Sequence, residues 1–213
     1  MTIDINADIG AGFEGENSSH DERVIKRITS ANIACGFHGG DPAVMQRSVD
    51  FALKYDVAIG AHIGLPDLMG LTASPRKVSA KKTYAQVLYQ LGALSAFAVA
   101  KERRIQHIKL HGVLYDASIT DKDLAQAVCD AVMRFDKDII LLGPAESELL
   151  SIGKAAGLTT ATEATIDSIE DFSCDTDSIS VEASKPYAVQ LLDELKRTLH
   201  KENIKLSSLN SAV

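Results

Sequence analysis

The sequence predicts an α/β protein with a parallel sheet, and three observations lead there. Short apolar runs of strand length alternate with stretches of helical periodicity along most of the 213 residues. Four of those runs end on chemistry: 3–7 runs into Asp8, 30–35 leads to His38 and Asp41, 57–61 ends at His62, and 107–109 leads to His111. Parallel strands share one carboxyl edge, where loops carrying binding and catalytic groups gather, so the four placements predict one polar pocket. Finally, seven strands can be counted. That number suits a closed or nearly closed barrel better than an open two-faced sheet, although periodicity does not choose between them.

The elements follow in order. After Asp8 a Gly-rich loop runs to about Ser19, and a helix is expected from His20 to Thr29. The second strand ends near Cys35. Asp41 is a natural N-cap and Pro42 sits at the tolerated first helical position, opening a helix that carries Val44, Met45, Val49, Ala52 and Leu53 on one face. It ends near Tyr55, before a third strand at 57–61. Residues 62–78 form a long loop with Gly64, Pro66, Gly70 and Pro75, and loops of that length inside a domain tend to be functional. Ser79 is expected to cap the longest helix, 80–103. A fourth strand at 107–110, a helix at 121–135 and a fifth strand at 139–142 come next. A helix at 146–156, strands at 159–162 and 178–181, and a helix at 183–201 complete the pattern, the last with Leu191, Leu192, Leu195 and Leu199 inward. The Ser-rich tail 206–213 is expected to fray. No internal repeat or linker is visible, so 1–213 reads as a single domain.

Composition excludes several function classes. With 46% hydrophobic residues the chain is globular rather than disordered. No apolar run approaches the roughly 20 residues that span a bilayer, and no basic region followed by an apolar stretch opens the chain. No membrane association and a cytoplasmic location are therefore expected. The three cysteines, Cys35, Cys129 and Cys174, form no CxxC pair and imply neither a disulfide framework nor a zinc knuckle. A net charge of −7 with scattered Lys and Arg argues against nucleic acid. Neither GxGxxG nor GxxxxGK[ST] occurs. Gly10-Ala11-Gly12 follows a strand, but the acidic stretch after it would repel phosphate, so no standard nucleotide loop is expected on this chain.

The titratable groups on the expected rim are Asp8, His38, Asp41, His62, Asp67, Lys109 and His111. Imidazoles and carboxylates brought together can hold a divalent metal, or can serve as general acid and base. A lysine among them can stabilise an oxyanion. The spacing of His38, His62 and His111 is no local metal motif, so ligation depends on the fold bringing them together. Plainer roles stand beside these: Asp8 can cap its loop, Asp41 its helix, and a lone histidine at a strand end is often structural. Lys109 falls mid-strand, where an ammonium is costly unless paired.

Asn6-Ala7-Asp8-Ile9-Gly10, the block from Ser30 to Pro42, Gly60-Ala61-His62, the run Val87 to Leu94 and the run Lys109 to Tyr115 strongly resemble the LamB/YcsF family. The match runs from Met1 to about Glu163. The resemblance implies a distorted seven-stranded β/α barrel of the glycoside hydrolase/deacetylase type. It also implies a role in ATP-dependent opening of the 5-oxoproline lactam to L-glutamate, together with separate B and C subunits of a 5-oxoprolinase complex; a homo-oligomer is also compatible. On the matching positions it implies Asp8, His38, His62, Lys109 and His111 as catalytic groups, with Lys109 and His111 neutralising charge near the amide oxygen and Asp8 or His38 as base. Asn6, Asp41 and Gln90 are expected to contact substrate. A divalent metal, if used, has Asp8, His38 and His62 as candidate ligands.

The chain departs from the family pattern in three places. Ala11 stands where the family usually has Glu. Ser168 replaces an Arg, and most of the loop that follows is missing before Asp177. Glu182-Ala183-Ser184 replaces a block that carries His and Asp, leaving Glu182 as a partial substitute. The C-terminal third is therefore shortened relative to a barrel of roughly 250 residues. These departures favour one alternative function, a divergent non-catalytic barrel subunit; a stand-alone metal-dependent amidohydrolase or deacetylase is the other.

Overall fold

Seven parallel strands close on themselves in the computed structural model, which describes residues 1–13, 18–66 and 79–209. They are β1 (Thr2–Ile9), β2 (Ser30–Ala34), β3 (Ala58–Ile63), β4 (His107–Leu110), β5 (Ile140–Pro144), β6 (Thr160–Ile166) and β7 (Ser178–Val181). Each pairs with its sequence neighbours, and β1 bonds to both β2 and β7, so the barrel has no open edge. The choice that periodicity left open is thereby made. Helices α1 (Ser18–Ile25), α2 (Pro42–Lys54), α3 (Ala80–Val99), α4 (Gly112–Thr120), α5 (Lys122–Phe135), α6 (Glu148–Ala155) and α7 (Ala188–Lys201) lie outside. Among the described residues no helix is long and apolar enough to cross a membrane.

The strands alternate in an unusual sense. On β1 the residues Ile3, Ile5, Ala7 and Ile9 face outward and are buried beneath the helices, whereas Asp4, Asn6 and Asp8 face the lumen. The main apolar core is thus a shell between sheet and helices. Burying each of its isoleucines is worth roughly 1.5–3 kcal/mol. The lumen is filled mostly by polar side chains that hydrogen-bond one another, with Ser30, Asn32, His62, His107, Lys109, Glu163, Ser178 and Ser180 all buried.

Several local features differ from the sequence reading. Asp41 caps α2 as expected, its Oδ1 accepting from the N–H groups of Ala43 at 2.8 Å and Val44 at 2.9 Å. Ser79 precedes α3 without a side-chain cap, and that helix stops at Val99 rather than 103. Ser147 caps α6, so it starts after Glu146. Helix α7 begins at Ala188 because Pro186 restricts the residue before it to extended backbone. Helix α4 has no counterpart in the sequence reading: it follows β4 directly, without a polar N-cap signal. Between β6 and β7 only a 3₁₀ turn at Ile169–Asp171 is present, where the other crossovers carry helices.

The tail does not fray as far as Leu209. A short strand β8 (Lys205–Leu206) pairs with Thr2 and Ile3 of β1. Ser207 N–H then donates to the Ile3 carbonyl at 3.1 Å, and the Gln106 amide donates to the Leu209 carbonyl at 2.6 Å. Leu209 packs with Ile140, Leu142 and Ala161 in a small apolar cluster of its own, which stoppers the amino end of the polar lumen. The expected fraying beyond 209 lies outside the described residues.

Candidate functional site

The carboxyl mouth of the barrel gathers the predicted groups. Asp8 ends β1, His62 lies near the end of β3, Lys109 is on β4, and His111 follows β4 as the N-cap of α4. His38 comes from the loop between β2 and α2. Asp8 Oδ2 lies 3.3 Å from His62 Nε2, and the same nitrogen is 3.0 Å from His111 Nδ1. The His38 ring stacks on His111 with centroids 4.0 Å apart and planes 12° from parallel, and it meets the edge of His62 at 4.9 Å. Four residues from four parts of the chain thus share one site.

Beneath them Lys109 is almost enclosed. Its ammonium donates to Ser180 Oγ at 2.7 Å, Glu163 Oε2 at 3.0 Å and Asn6 Oδ1 at 3.3 Å, with Asp8 Oδ1 at 3.7 Å. Three N–H groups therefore already have three acceptors within the barrel. Asn6 donates in turn to Ser178 Oγ at 2.8 Å and Glu163 Oε2 at 3.3 Å, so its amide is also built into the lumen. Asn32 donates to both Asn6 Oδ1 at 2.7 Å and Asp8 Oδ1 at 2.9 Å, fixing the carboxylate from below. Asp4 closes the network at the bottom, accepting from Thr29, Ser30 and Ser178. His107 sits at mid-lumen with Nε2 2.9 Å from Asn32 Oδ1, and a Cβ on Gly60 would lie 2.0 Å from its ring, so only glycine admits the imidazole there.

These surroundings set the protonation states. Burial pushes the Asp8 carboxyl up, but His62, Lys109 and the Asn32 hydrogen bond outweigh it and hold it well below the usual carboxylate range. Burial pushes His62 down to about 4 against the opposing pull of Asp8. His38 is pushed down to about 2, by burial first and then by the neighbouring imidazoles. Burial lowers Lys109, yet Asp8 and Glu163 together raise it above the ordinary ammonium value. The mouth therefore holds an ionised Asp8 carboxylate and the neutral imidazoles of His38 and His62 above a fixed ammonium. Among the described residues neither ring nitrogen of His38 has a hydrogen-bond partner, although both atoms are buried.

The remaining predicted residues lie elsewhere. Asp41 is at the start of α2, where it caps the helix. Gln90 is on α3, fully buried, and its amide engages the backbone of Gly64. Asp67 falls outside the described residues, as does most of the 62–78 loop. Glu182 is exposed and bonds Ser184 and Lys185. Ala11 is exposed beside Gly39 and Gly40, its carbonyl accepting from Gly40 N–H at 3.2 Å.

Sequence reasoning missed Glu163, the partner of Lys109, and the polar lumen around it. The available signal was the period-two polar series Asp4-x-Asn6-x-Asp8, Ser30-x-Asn32, His107-x-Lys109 and Ser178-x-Ser180, which marks an inward polar face. Tyr115, to which the sequence assigns no role, sits near Glu163, and burial together with that carboxylate raises its phenol.

The model of the LamB/YcsF family matches residues 3–170. The chain belongs to the LamB/YcsF family. Among its LamB/YcsF relatives, the 5-oxoprolinase A component of Fusobacterium nucleatum is 34% identical over 248 aligned positions, covering 97% of this chain and 96% of that protein. The protein of the same name from Pyrococcus horikoshii is 42% identical over 163 residues, covering 76% of this chain but only 64% of its own length. Among solved structures, the lactam utilization protein of Thermus thermophilus superposes with a TM-score of 0.90 at 28% identity, covering 98% of this chain and all of that one. The barrel implied by the resemblance is therefore the barrel of a LamB/YcsF protein. The family match ends at residue 170, within the 3₁₀ turn of the crossover between β6 and β7.

Proposed function

We propose that this chain is the A-type component of a 5-oxoprolinase, a hydrolase that opens the cyclic amide of 5-oxo-L-proline to L-glutamate. The observation that carries the reading is the meeting of Asp8, His38, His62 and His111 at one barrel mouth in a LamB/YcsF chain. An unstrained lactam is stable in water, so its opening needs an activated carbonyl and a positioned nucleophile. ATP supplies the activation, and since no phosphate-cradling loop pattern occurs in this sequence, the nucleotide is handled in a complex with separate B and C subunits. Asp8 orients His62 across 3.3 Å, and the two form the acid–base pair that directs water to the carbonyl carbon. With these neighbours alone both groups are weak bases. An anionic substrate seated beside the imidazoles raises their proton affinity, so basicity develops on binding. His111, at the edge of the mouth, faces the oxygen on which charge develops. Lys109, whose three N–H groups already have acceptors, acts as the fixed counter-charge that keeps Asp8 ionised.

A second reading is favoured by one observation: His38, His62 and His111 each offer a ring nitrogen, and these atoms lie within 4.8 Å of one another. Three imidazoles converging in this way, those of His38 and His62 held neutral by burial, are a donor set a divalent cation such as Zn²⁺ takes. The ligand set then contains His111, with the Asp8 carboxylate beside the same His62 nitrogen at 3.3 Å. Such an ion would polarise the carbonyl or lower the pKa of water.

The test is reconstitution with B and C subunits. 5-Oxoproline-dependent ATP hydrolysis and glutamate release are expected, and Asp8→Ala or His62→Ala should abolish them. Absence of turnover with active B and C partners would establish the non-catalytic barrel instead. Glutamate release by the chain alone, without ATP, would establish the stand-alone amidohydrolase. For the metal, calorimetric titration with Zn²⁺ should show one site that His38→Ala and His111→Ala each remove.

A further inference from the structure

Helix α3 contributes nothing to the lumen, yet two successive residues of it hold the chain on both sides of His38. Gln90 is fully buried and clamps a single residue of the neighbouring loop. The Gly64 N–H donates to Gln90 Oε1 at 3.1 Å, while Gln90 Nε2 donates to the Gly64 carbonyl at 2.9 Å and to the Gln86 carbonyl at 3.0 Å. The amide thereby extends β3 by one residue, pairing with it as an adjacent strand would. Gly64 is the wall against which His38 rests: a Cβ there would lie 2.3 Å from His38 Nδ1 and 2.8 Å from Cγ. The His38 ring also stacks on His111. One residue before Gln90, Tyr89 stacks on Phe37, the residue preceding His38, with centroids 5.2 Å apart and planes 28° from parallel.

His38 needs such a support. It stands on a loop, and among the described residues neither of its ring nitrogens has a hydrogen bond to fix the imidazole. Its orientation is set by packing against Gly64 and His111, and by the backbone on which Phe37 sits. We propose that Tyr89 and Gln90 are positioning residues: α3 acts as a two-point jig, Gln90 fixing the Gly64 wall and Tyr89 fixing the His38 loop. Gln90 thus acts on the site through Gly64 rather than by touching substrate. The consequence for turnover rests on His38 belonging to the active site as proposed above; the placement of the ring does not.

The test separates the two. Imidazole resonances of the full chain are recorded by long-range ¹H–¹⁵N NMR, with His38 assigned through His38→Gln. Gln90→Leu removes the clamp at similar volume, and Tyr89→Ala removes the stack at a residue 64% exposed, where folding is not at stake. Both should move the His38 signals, whereas Tyr89→Phe, which keeps the ring, should leave them in place. Leu94→Ala, one turn further along the buried face of α3, should lower Tm without moving them. In the reconstituted complex the first two variants should lower kcat by roughly tenfold to a hundredfold, the loss expected for a misplaced group. His38 signals unmoved in both Gln90→Leu and Tyr89→Ala would overturn the proposal, as would an equal displacement in Leu94→Ala. Should Gln90→Leu fail to fold, the contrast between Tyr89→Ala and Tyr89→Phe decides alone. A moved His38 in a complex that never turns over, even as wild type, would sink the 5-oxoprolinase reading and leave the jig standing.

Discussion

Replacing Lys109 by Met should cost this barrel more stability than any surface change. The methionine fills a similar volume but strands two carboxylates. Glu163, whose side chain is 0% exposed, would keep the Asn6 amide on Oε2 at 3.3 Å and the neighbouring Tyr115 hydroxyl but no cation, and Asp8 would keep Asn32 and His62. Removing one partner of a buried ion pair costs about 3–5 kcal/mol, because the other charge stays desolvated without compensation. For a chain of this size each kcal/mol moves Tm by about 2–4 °C, so Lys109→Met should melt ~6–20 °C lower. Removing both charges in Lys109→Met/Glu163→Leu leaves Asp8 as the only stranded group and should recover more than half of the loss. Burial pulls Lys109 down, but Asp8 and Glu163 raise its folded pKa above the unfolded one. Its contribution is therefore complete at neutral pH and is lost only as pH rises through the folded value. Calorimetry and urea unfolding at pH 7 in EDTA measure these differences. A loss below about 1 kcal/mol in Lys109→Met, or a double variant as unstable as the two single losses summed, would refute the view of Lys109 as an enclosed counter-ion.

Other outcomes follow from the same structure. In EDTA, stability should fall as pH drops below the ordinary imidazole value of 6.5, because His62 at about 4 and His107 at about 3 refuse protons that the unfolded chain accepts. A urea midpoint that stays level from pH 7 to pH 4 contradicts this. Gly60→Ala would place a methyl 2.0 Å from the His107 ring and should destabilise by about 1–3 kcal/mol of overpacking, measurable by thermal unfolding. Asp41→Ala removes two N-cap hydrogen bonds and should cost about 1 kcal/mol, with little change in turnover unless the residue also contacts substrate. Leu209→Ala should cost about 2 kcal/mol or more and raise amide exchange in β5, whose Ile140 and Leu142 it covers.

How much of this was legible depended on whether the signal was local. The strand ends at Asp8, His62 and Lys109 could be read directly, since apolar runs and the parallel-sheet rule place them on one edge. The Asp41–Pro42 cap could be read because its chemistry is contained in three residues. Glu163 could not, because its meaning comes from Lys109, more than fifty residues earlier and brought across the lumen by barrel closure. Helix α4 starts on His111, which lends no side-chain cap, so nothing polar announces it. The tail looked frayed because Lys205 to Leu209 carries only two apolar residues, and its order comes from pairing with the first strand. Gln90 stood inside a recognisable motif, but only the close approach of Gly64 to His38 gives it a task.

The lumen also governs how this protein can be dissected. Asp4, Asn6, Asn32, Lys109, Glu163, Ser178 and Ser180 take their hydrogen bonds from one another, so each truncation leaves several orphans and the penalties overlap. An alanine scan along the strands will rank all of these positions as indispensable, whether or not they meet a reactant. Discrimination has to come from the upper tier, where His38 and His111 can be altered with fewer dependents. Anyone re-tasking the scaffold would have to exchange the inner residues as a set while varying the outer loops one at a time.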